Sequence, residues 1–412
     1  MNFKIFPPEQ FVQVPIELPL SKSESNRQLI INAMTPGASE LKRVAQCDDT
    51  DAVVRALRVD NGMVNIGAAG TAMRFLTAYF ACKEGADVIL DGTERMRKRP
   101  ISPLVDALRT LGADIQYVGE EGFPPLKIRG QKISGGEVEM DAHVSSQYVS
   151  SLLMVAPSMK HGLTLRLRGE IVSAPYIRMT VSLMASAGIN ATFNEASGVI
   201  TVPVGVYSPS LPSVEADWSA ASYWHALAAI SSERVILKGL RAGSLQGDAV
   251  VGKLFEVTGL RTEFNGEGNL ELTLTPDVGS ACRIDLSDTP DLAQTLAVCY
   301  CLLGIPFEFS GLETLRIKET DRLAALQTEL GKLGYVLDIE NSDTLIWRGA
   351  SFYPGDEIEP IATYDDHRMA MAFAPAALFF PGLQINDVQV VSKSYPDFWQ
   401  HLASLGFQLV EA

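Results

Sequence analysis

Apolar residues at helical spacing, closed by a glycine and followed by a strand-like run, recur along this chain. Leu323, Leu326, Leu330 and Leu333 lie on one face and Gly334 ends the run, which predicts a helix from Thr320 onward. The same ending appears as LRTLGADIQ at Gly112, LMASAGINATF at Gly188, LFEVTGLRTEF at Gly259, LGKLGYVLDI at Gly334 and LASLGFQLV at Gly406. Each joins an amphipathic helix to a strand through a glycine free to take positive φ at the helix C-terminus. The endings fall roughly 70 residues apart, too far for a solenoid, and predict a mixed helix–strand subdomain copied about six times. Generic α/β alternation gives a similar look.

The longest uncharged apolar run, Leu292 to Phe307, holds Gln294 and Pro306. It falls short of the ~20 residues of a membrane span and reads as a buried element. With 412 residues, 47% hydrophobic and 20% charged, the chain is expected to fold as about two globular domains. SPSLPSVEAD (208–217) and PIELPLSKS (15–23) are the candidate crossings. Placing the amino-terminal strand with the carboxy-terminal half gives domains 1–20 plus 216–412, and 21–215. MNFKIFPPEQ lacks the features of a signal peptide. The cysteines at 47, 82, 282, 299 and 301 form no CxxC, and Cys299 and Cys301 read as reduced core residues, so a cytoplasmic location is expected.

The net charge of −15 argues against nucleic acid as a partner, which needs a basic face. Any small-anion site must then be built from local clusters of cations. Such clusters occur where a helix is predicted to start. A helix start is its positive end and ordinarily disfavours Lys and Arg. Yet RIKETDRLAAL crowds Arg316, Lys318 and Arg322 there, among Glu319 and Asp321. LSKSESNR carries Lys22 and Arg27, GAAGTAMR carries Arg74, DDHRMAMA has Asp365, Asp366, His367 and Arg368, and SKSYPDF has Lys393 before the last helix. DGTERMRKRPI adds Arg95, Arg97, Lys98 and Arg99. Taken singly, each is an ordinary capped helix with a solvated charge. The Gly67/Gly70 loop lacks the Walker lysine-serine ending and the dinucleotide spacing. Taken together in an acidic chain, the free N–H groups and added cations point to a cleft for one or two multiply charged small molecules.

LSKSESNR, GAAGTAMR, RMRKRPI, SSQYVSSLL, SAPYIRMT, PDLAQTLA, RIKETDRL, DDHRMAMA and SKSYPDF occur in this order from about Leu20 to Phe398. Together they resemble the 5-enolpyruvylshikimate-3-phosphate synthase family of enolpyruvyl transferases. The resemblance implies an α/β (α+β) fold of two inside-out α/β barrel domains. Each would hold three repeated β-α-β-α-β-β units, and a two-stranded hinge would join them. It implies transfer of the enolpyruvyl group of phosphoenolpyruvate to the 5-hydroxyl of shikimate 3-phosphate with release of phosphate, a step toward chorismate and the aromatic amino acids. Domain closure would keep water from the reacting groups. No metal or organic cofactor is implied, the partners are the two small-molecule substrates with no nucleic acid and no membrane, and a monomer is expected.

Carried over by position, the resemblance assigns Lys22, Ser23, Arg27, Ser145, Ser146, Gln147, Ser173, Tyr176, Asp291 and Lys318 to shikimate 3-phosphate. It assigns Lys22, Gly70, Arg95, Gln147, Arg322, Arg368 and Lys393 to phosphoenolpyruvate. Asp291 is the expected general base at the 5-hydroxyl, and Glu319 the proton carrier at the methylene carbon, with Lys22 its partner or rival. Read without the resemblance, Asp291 after Pro290 also suits a helix cap, Glu319 a surface ion pair with Arg322, and SSQ a turn. Arg316 is left to a structural role.

Three positions depart from the family's pattern. Ala68 stands where Asn is usual, Phe75 where Pro or a smaller apolar residue is common, and Thr314 where Asn is frequent. They predict a raised KM for phosphoenolpyruvate. The sister transferase acting on UDP-N-acetylglucosamine is disfavoured by KETDR and SSQ and by the lack of its loop cysteine. An RNA 3′-phosphate cyclase is disfavoured by the acidic charge. A catalytically dead relative is disfavoured by an intact Lys22, Asp291 and Glu319.

Overall fold

The computed structural model describes residues 1–143, 145–276 and 278–412. The chain forms two compact units, Met1–Leu20 with Glu215–Ala412, and Ser21–Val214. One strand–helix pattern is used in both. In the second unit, strands Asn61–Asn65, Asp87–Asp91, Leu126–Arg129 and Asp114–Tyr117 lie side by side in that order. The first two are parallel and the remaining pairs antiparallel. A parallel pair needs a crossover connection, and the Gly70–Cys82 helix supplies it. The sheet of Gly136–Asp141, Leu163–Arg168, Val199–Val202 and Thr192–Asn194 repeats this order.

In the first unit the pattern recurs with Cys282–Asp285, Phe307–Ser310, Thr344–Ser351 and Tyr335–Glu340. Another sheet takes its opening strand from Ile16–Glu17, parallel to Val235–Lys238. A further copy is completed by the amino terminus: Phe3–Phe6 lies between Leu383–Ile385 and Gln408–Glu411, while Ile361 bridges Ile385 in parallel. The Lys22–Ala33 and Asp48–Ala56 helices also belong to the second unit. No four-stranded sheet accompanies them among the described residues. Pro203, Pro209 and Pro212 deprive the adjoining segment of ladder donors.

Two helix types follow from this layering. Gly70–Cys82, Ser146–Val155, Trp218–Ser231, Ala293–Leu303 and His367–Phe373 are buried nearly all round, and in each unit they form the core. The apolar run from Leu292 is thus one core helix and the start of the next strand. The second helix of each copy is striped: Leu323, Leu326, Leu330 and Leu333 are all buried. Gly112, Gly188, Gly259, Gly334 and Gly406 all take positive φ where these segments give way to strands. Among the described residues no helix is long and apolar enough to cross a membrane.

Candidate functional site

The helix foretold from Thr320 begins two residues later, at Arg322, because Asp321 is its cap and accepts from Ala324 N at 3.1 Å. Arg316 and Lys318 therefore precede the helix, at the end of a 3-10 turn Glu313–Ile317. Arg316 Nη1 reaches Asp321 at 2.9 Å and its Nε donates to Ser342 O at 2.6 Å, so it braces the capping residue.

Arg322 is the hub of the first unit's cluster. It is 2% exposed, yet three carboxylates share its guanidinium. Nε donates to Asp366 Oδ2 at 2.6 Å, Nη1 to Asp291 Oδ1 at 2.7 Å, and Nη2 to Glu319 Oε2 at 2.9 Å. Asp291 lies in the 3-10 turn Pro290–Leu292, but its carboxylate serves as no cap. It turns instead to Arg322 and to Arg368 Nη2 at 3.0 Å, with Lys318 Nζ at 3.7 Å. Burial by itself would raise its pKa; Arg368, Lys318 and Arg322 outweigh that and hold it far below the usual carboxylate range. Glu319 does pair with Arg322, as an ordinary ion-pair reading of KETDR has it.

Arg368 is the second residue of the His367–Phe373 helix, whose cap Asp366 accepts from Arg368 N at 2.9 Å. Beside it is an acid that sequence reasoning missed. Asp248 is buried and accepts from Ser219 Oγ, which lies 3.5 Å from Arg368 Nη2. Burial pushes the Asp248 carboxyl up to about 6. Lys393 ends the 3-10 turn Val388–Lys393, well ahead of the final helix Phe398–Ser404, so its backbone is not part of that helix start. Its ammonium donates to Asp365 O.

In the second unit, Lys22 is the first residue of the Lys22–Ala33 helix, behind the cap Ser21. Its ammonium pairs with Asp49 at 2.9 Å. CDDTDA reads as acids favouring a helix start, and nothing in it marks Asp49 as a partner for a lysine far away in sequence. Arg27 is held without a carboxylate among the described residues. Nε donates to Thr180 Oγ1 at 2.7 Å, Nη2 to Ser150 Oγ at 3.1 Å, and Nη1 to Ser23 O at 2.8 Å. The Phe75 and Tyr176 rings lie 5.3 and 5.7 Å from its guanidinium carbon. Burial lowers its pKa to about 10, still charged at neutral pH. The unusual Phe75 is therefore a platform for Arg27.

Gly70 opens the Gly70–Cys82 helix, and a Cβ there would lie 2.6 Å from Arg99 Nη1. Arg99 is buried, and a side chain at position 70 would have to push its guanidinium aside. Gln147 Nε2 donates to Thr71 Oγ1 at 3.2 Å, joining SSQ to the same loop. Ser145 caps Ser146–Val155, accepting from Gln147 N at 3.3 Å, while Ser146 and Ser173 are buried. Ser173 takes φ +57 as it opens Ala174–Ser186. Arg95 sits exposed in the Glu94–Arg97 helix. Thr314 Oγ1 is buried with no hydrogen-bond partner among the described residues.

Each unit thus gathers cations at or near helix starts, and carboxylates hold Arg322 and Arg368 in the first unit and Lys22 in the second. Such a set can bind phosphate and carboxylate groups and shuttle protons beside them. A family model described as EPSP synthase (3-phosphoshikimate 1-carboxyvinyltransferase) matches residues 59–402. The 3-phosphoshikimate 1-carboxyvinyltransferase of Bacteroides fragilis strain YCH46 is 47% identical over 414 residues, covering 99% of this chain and 98% of that one. That of Shewanella pealeana is 36% identical over 434 residues, covering 98% and 100%. In fold, the chain is similar to EPSP synthase from Acinetobacter baumannii, with a TM-score of 0.76 at 19% identity and full coverage of both chains.

Proposed function

The chain belongs to the EPSP synthase (3-phosphoshikimate 1-carboxyvinyltransferase) family and transfers the enolpyruvyl group of phosphoenolpyruvate to the 5-hydroxyl of shikimate 3-phosphate; we propose that Lys22, Asp291 and Glu319 carry its proton transfers. The observation that supports this most is the Arg322 guanidinium shared by Asp291 and Glu319, at 2.7 and 2.9 Å. Both acids sit on a cation of the type that a substrate phosphate or carboxylate recruits.

In this reading Arg322, Arg368, Lys393, Lys22, Gly70, Arg95 and Gln147 hold phosphoenolpyruvate. Arg27, Ser23, Ser145, Ser146, Gln147, Ser173 and Tyr176 hold shikimate 3-phosphate with Lys22, Lys318 and Asp291. Glu319 or Lys22 gives a proton to the methylene carbon, leaving the adjacent carbon cation-like. The 5-oxygen attacks that carbon and passes its proton to Asp291, forming a tetrahedral adduct. Return of a methyl proton to Glu319 restores the double bond as the carbon–oxygen bond to phosphate breaks, and the proton taken from the 5-hydroxyl leaves with the phosphate. Each positioned acid or base is worth ~10²–10⁴-fold, and the cations stabilise the departing phosphate.

Asp291 is a weak base while two guanidiniums grip it. Phosphoenolpyruvate must compete with it for Arg322 and Arg368, and success turns those cations toward the substrate and restores basicity to Asp291. Substrate binding and activation of the base become one event. We read the two units as inside-out α/β barrels, supported by the helices buried all round beneath sheets with alternating exposure.

The test is phosphate release from phosphoenolpyruvate with shikimate 3-phosphate, UDP-N-acetylglucosamine or no acceptor. Release with the first alone is expected. Release with UDP-N-acetylglucosamine, or none with any acceptor, refutes the assignment.

A further inference from the structure

We propose that Glu329 is a positioning residue for phosphoenolpyruvate: it locks the strained turn Thr363–Asp366, on which all three cations given to that substrate in the first unit depend. The inference rests on the assignment of Arg322, Arg368 and Lys393 to phosphoenolpyruvate above.

The turn is held against its own preference. Tyr364 and Asp365 are successive non-glycine residues with φ +53 and +55, the left-handed region that side chains disfavour. Such a backbone persists only where its surroundings fix it. Three dependencies radiate from it. The Asp365 carbonyl accepts from Lys393 Nζ. The Asp366 carboxylate, fully buried, accepts from Arg322 Nε at 2.6 Å and Nη2 at 3.4 Å. The same carboxylate caps the backbone N–H of Arg368 at 2.9 Å.

Glu329 grips the other side of the turn. It is fully buried in the Arg322–Lys332 helix. Oε1 accepts from Tyr364 OH at 2.6 Å, and Oε2 from Ala362 N at 3.0 Å and Lys332 Nζ at 2.7 Å. Lys332 also donates to Pro360 O at 2.9 Å, tying down the approach to the turn. Burial and the Glu329 carboxylate both push the Tyr364 phenol up, so its O–H stays a donor. Arg322 and Glu329 lie two helical turns apart, on one face of one helix. That helix therefore clamps the turn at two points, Asp366 at one end and Ala362 with Tyr364 at the other. The cation that meets substrate and the acid that sets the turn belong to one rigid element.

The test uses Tyr364→Phe, which removes one hydroxyl, and Glu329→Gln, which keeps the volume. Steady-state KM for each substrate, kcat and the thermal midpoint are measured on the full chain. Expected for Tyr364→Phe is a rise of ~10-fold or more in KM for phosphoenolpyruvate, the loss of one hydrogen bond to a charged group, with KM for shikimate 3-phosphate within about twofold. Glu329→Gln should raise the same KM further, and adding Tyr364→Phe to it should change little more, since both act through one contact. A fall in thermal midpoint with both KM values unchanged overturns the proposal, as does a parallel rise in both. Should Glu329→Gln fail to fold, the Tyr364→Phe split decides alone. Absence of turnover in the unaltered protein would instead indict the assignment of the reaction.

Discussion

Replacing Asp291 by Asn removes the negative charge that lies between Arg322 and Arg368 while keeping the side-chain volume. The carboxylate accepts at 2.7 Å from one guanidinium and at 3.0 Å from the other. The amide oxygen can keep one of these bonds at neutral strength, and its NH₂ faces a cation. Hydrogen bonds to charged groups are worth ~1.5–3 kcal/mol and neutral ones ~0.5–1.5, so the change costs about 2–4 kcal/mol. The Asp291 side chain is 18% exposed, and solvent screening favours the lower end, ~2 kcal/mol. In a unit of roughly 200 residues that is a fall of ~4–8 °C in thermal midpoint. In the proposed assignment phosphoenolpyruvate brings its own anions to the same guanidiniums, so it should raise the midpoint of Asp291→Asn by more than that of the unaltered protein. Thermal melts with and without phosphoenolpyruvate measure both quantities, and kcat should fall ~10²–10⁴-fold with the base gone. A midpoint within 1 °C of the original, or an equal shift on adding phosphoenolpyruvate, would refute the competition between Asp291 and substrate.

Phe75→Leu removes a ring from a desolvated guanidinium, a contact of ~2 kcal/mol, and should raise KM for shikimate 3-phosphate severalfold. A rise confined to phosphoenolpyruvate would show that Phe75 acts through the glycine loop instead. Ala68→Asn should lower KM for phosphoenolpyruvate by restoring a donor beside Gly67 and Gly70; an unchanged KM counts against that contact. Arg322→Lys keeps the charge but loses the fork that three carboxylates share, and should raise KM for phosphoenolpyruvate at least ~10-fold. The depressed Asp291 carboxyl contributes stability that is complete above the ordinary Asp pKa of about 4 and is lost as pH falls below it. Urea midpoints should therefore decline in that window, and decline less in Asp291→Asn.

Local signals carried furthest in the sequence. The glycine endings and the leucine stripe required only helical period and a C-terminal residue free to take positive φ, and the structure keeps all five glycines in that role. The family's motifs named Arg322, Asp291 and Glu319, which the fold gathers within direct contact. Pairings between distant segments stayed hidden. Lys22 could have met any of 49 acidic residues, and nothing local selects Asp49. Glu329 reads as one more polar position in an amphipathic helix, because the turn it holds lies in a different part of the chain. The 3-10 turns before Lys318 and around Lys393 were missed for a related reason: Ser and Lys flanking an apolar run look the same before a helix as inside a short turn.

The cations that looked misplaced at helix starts divide into two kinds, and the division has a consequence for substrate order. Lys22, Arg322 and Arg368 are each held by a carboxylate, and Lys393 by a carbonyl. A substrate anion reaching them replaces an internal partner, so its net gain is the difference between two interactions. Arg27 is held by two hydroxyls, backbone carbonyls and two aromatic rings. No acid has to leave it, and the phosphate or carboxylate of shikimate 3-phosphate gains the full attraction of a desolvated charge. With only the Lys22–Asp49 and Lys318–Asp291 pairs to loosen, against the carboxylates that grip Arg322 and Arg368, the proposed shikimate 3-phosphate site should fill more readily, so shikimate 3-phosphate should bind tightly alone and phosphoenolpyruvate weakly until its partner is present. Isothermal titration of each substrate separately, then of phosphoenolpyruvate into protein saturated with shikimate 3-phosphate, checks this. Phosphoenolpyruvate binding alone as tightly as shikimate 3-phosphate would mean that the internal carboxylates are not competitors at all.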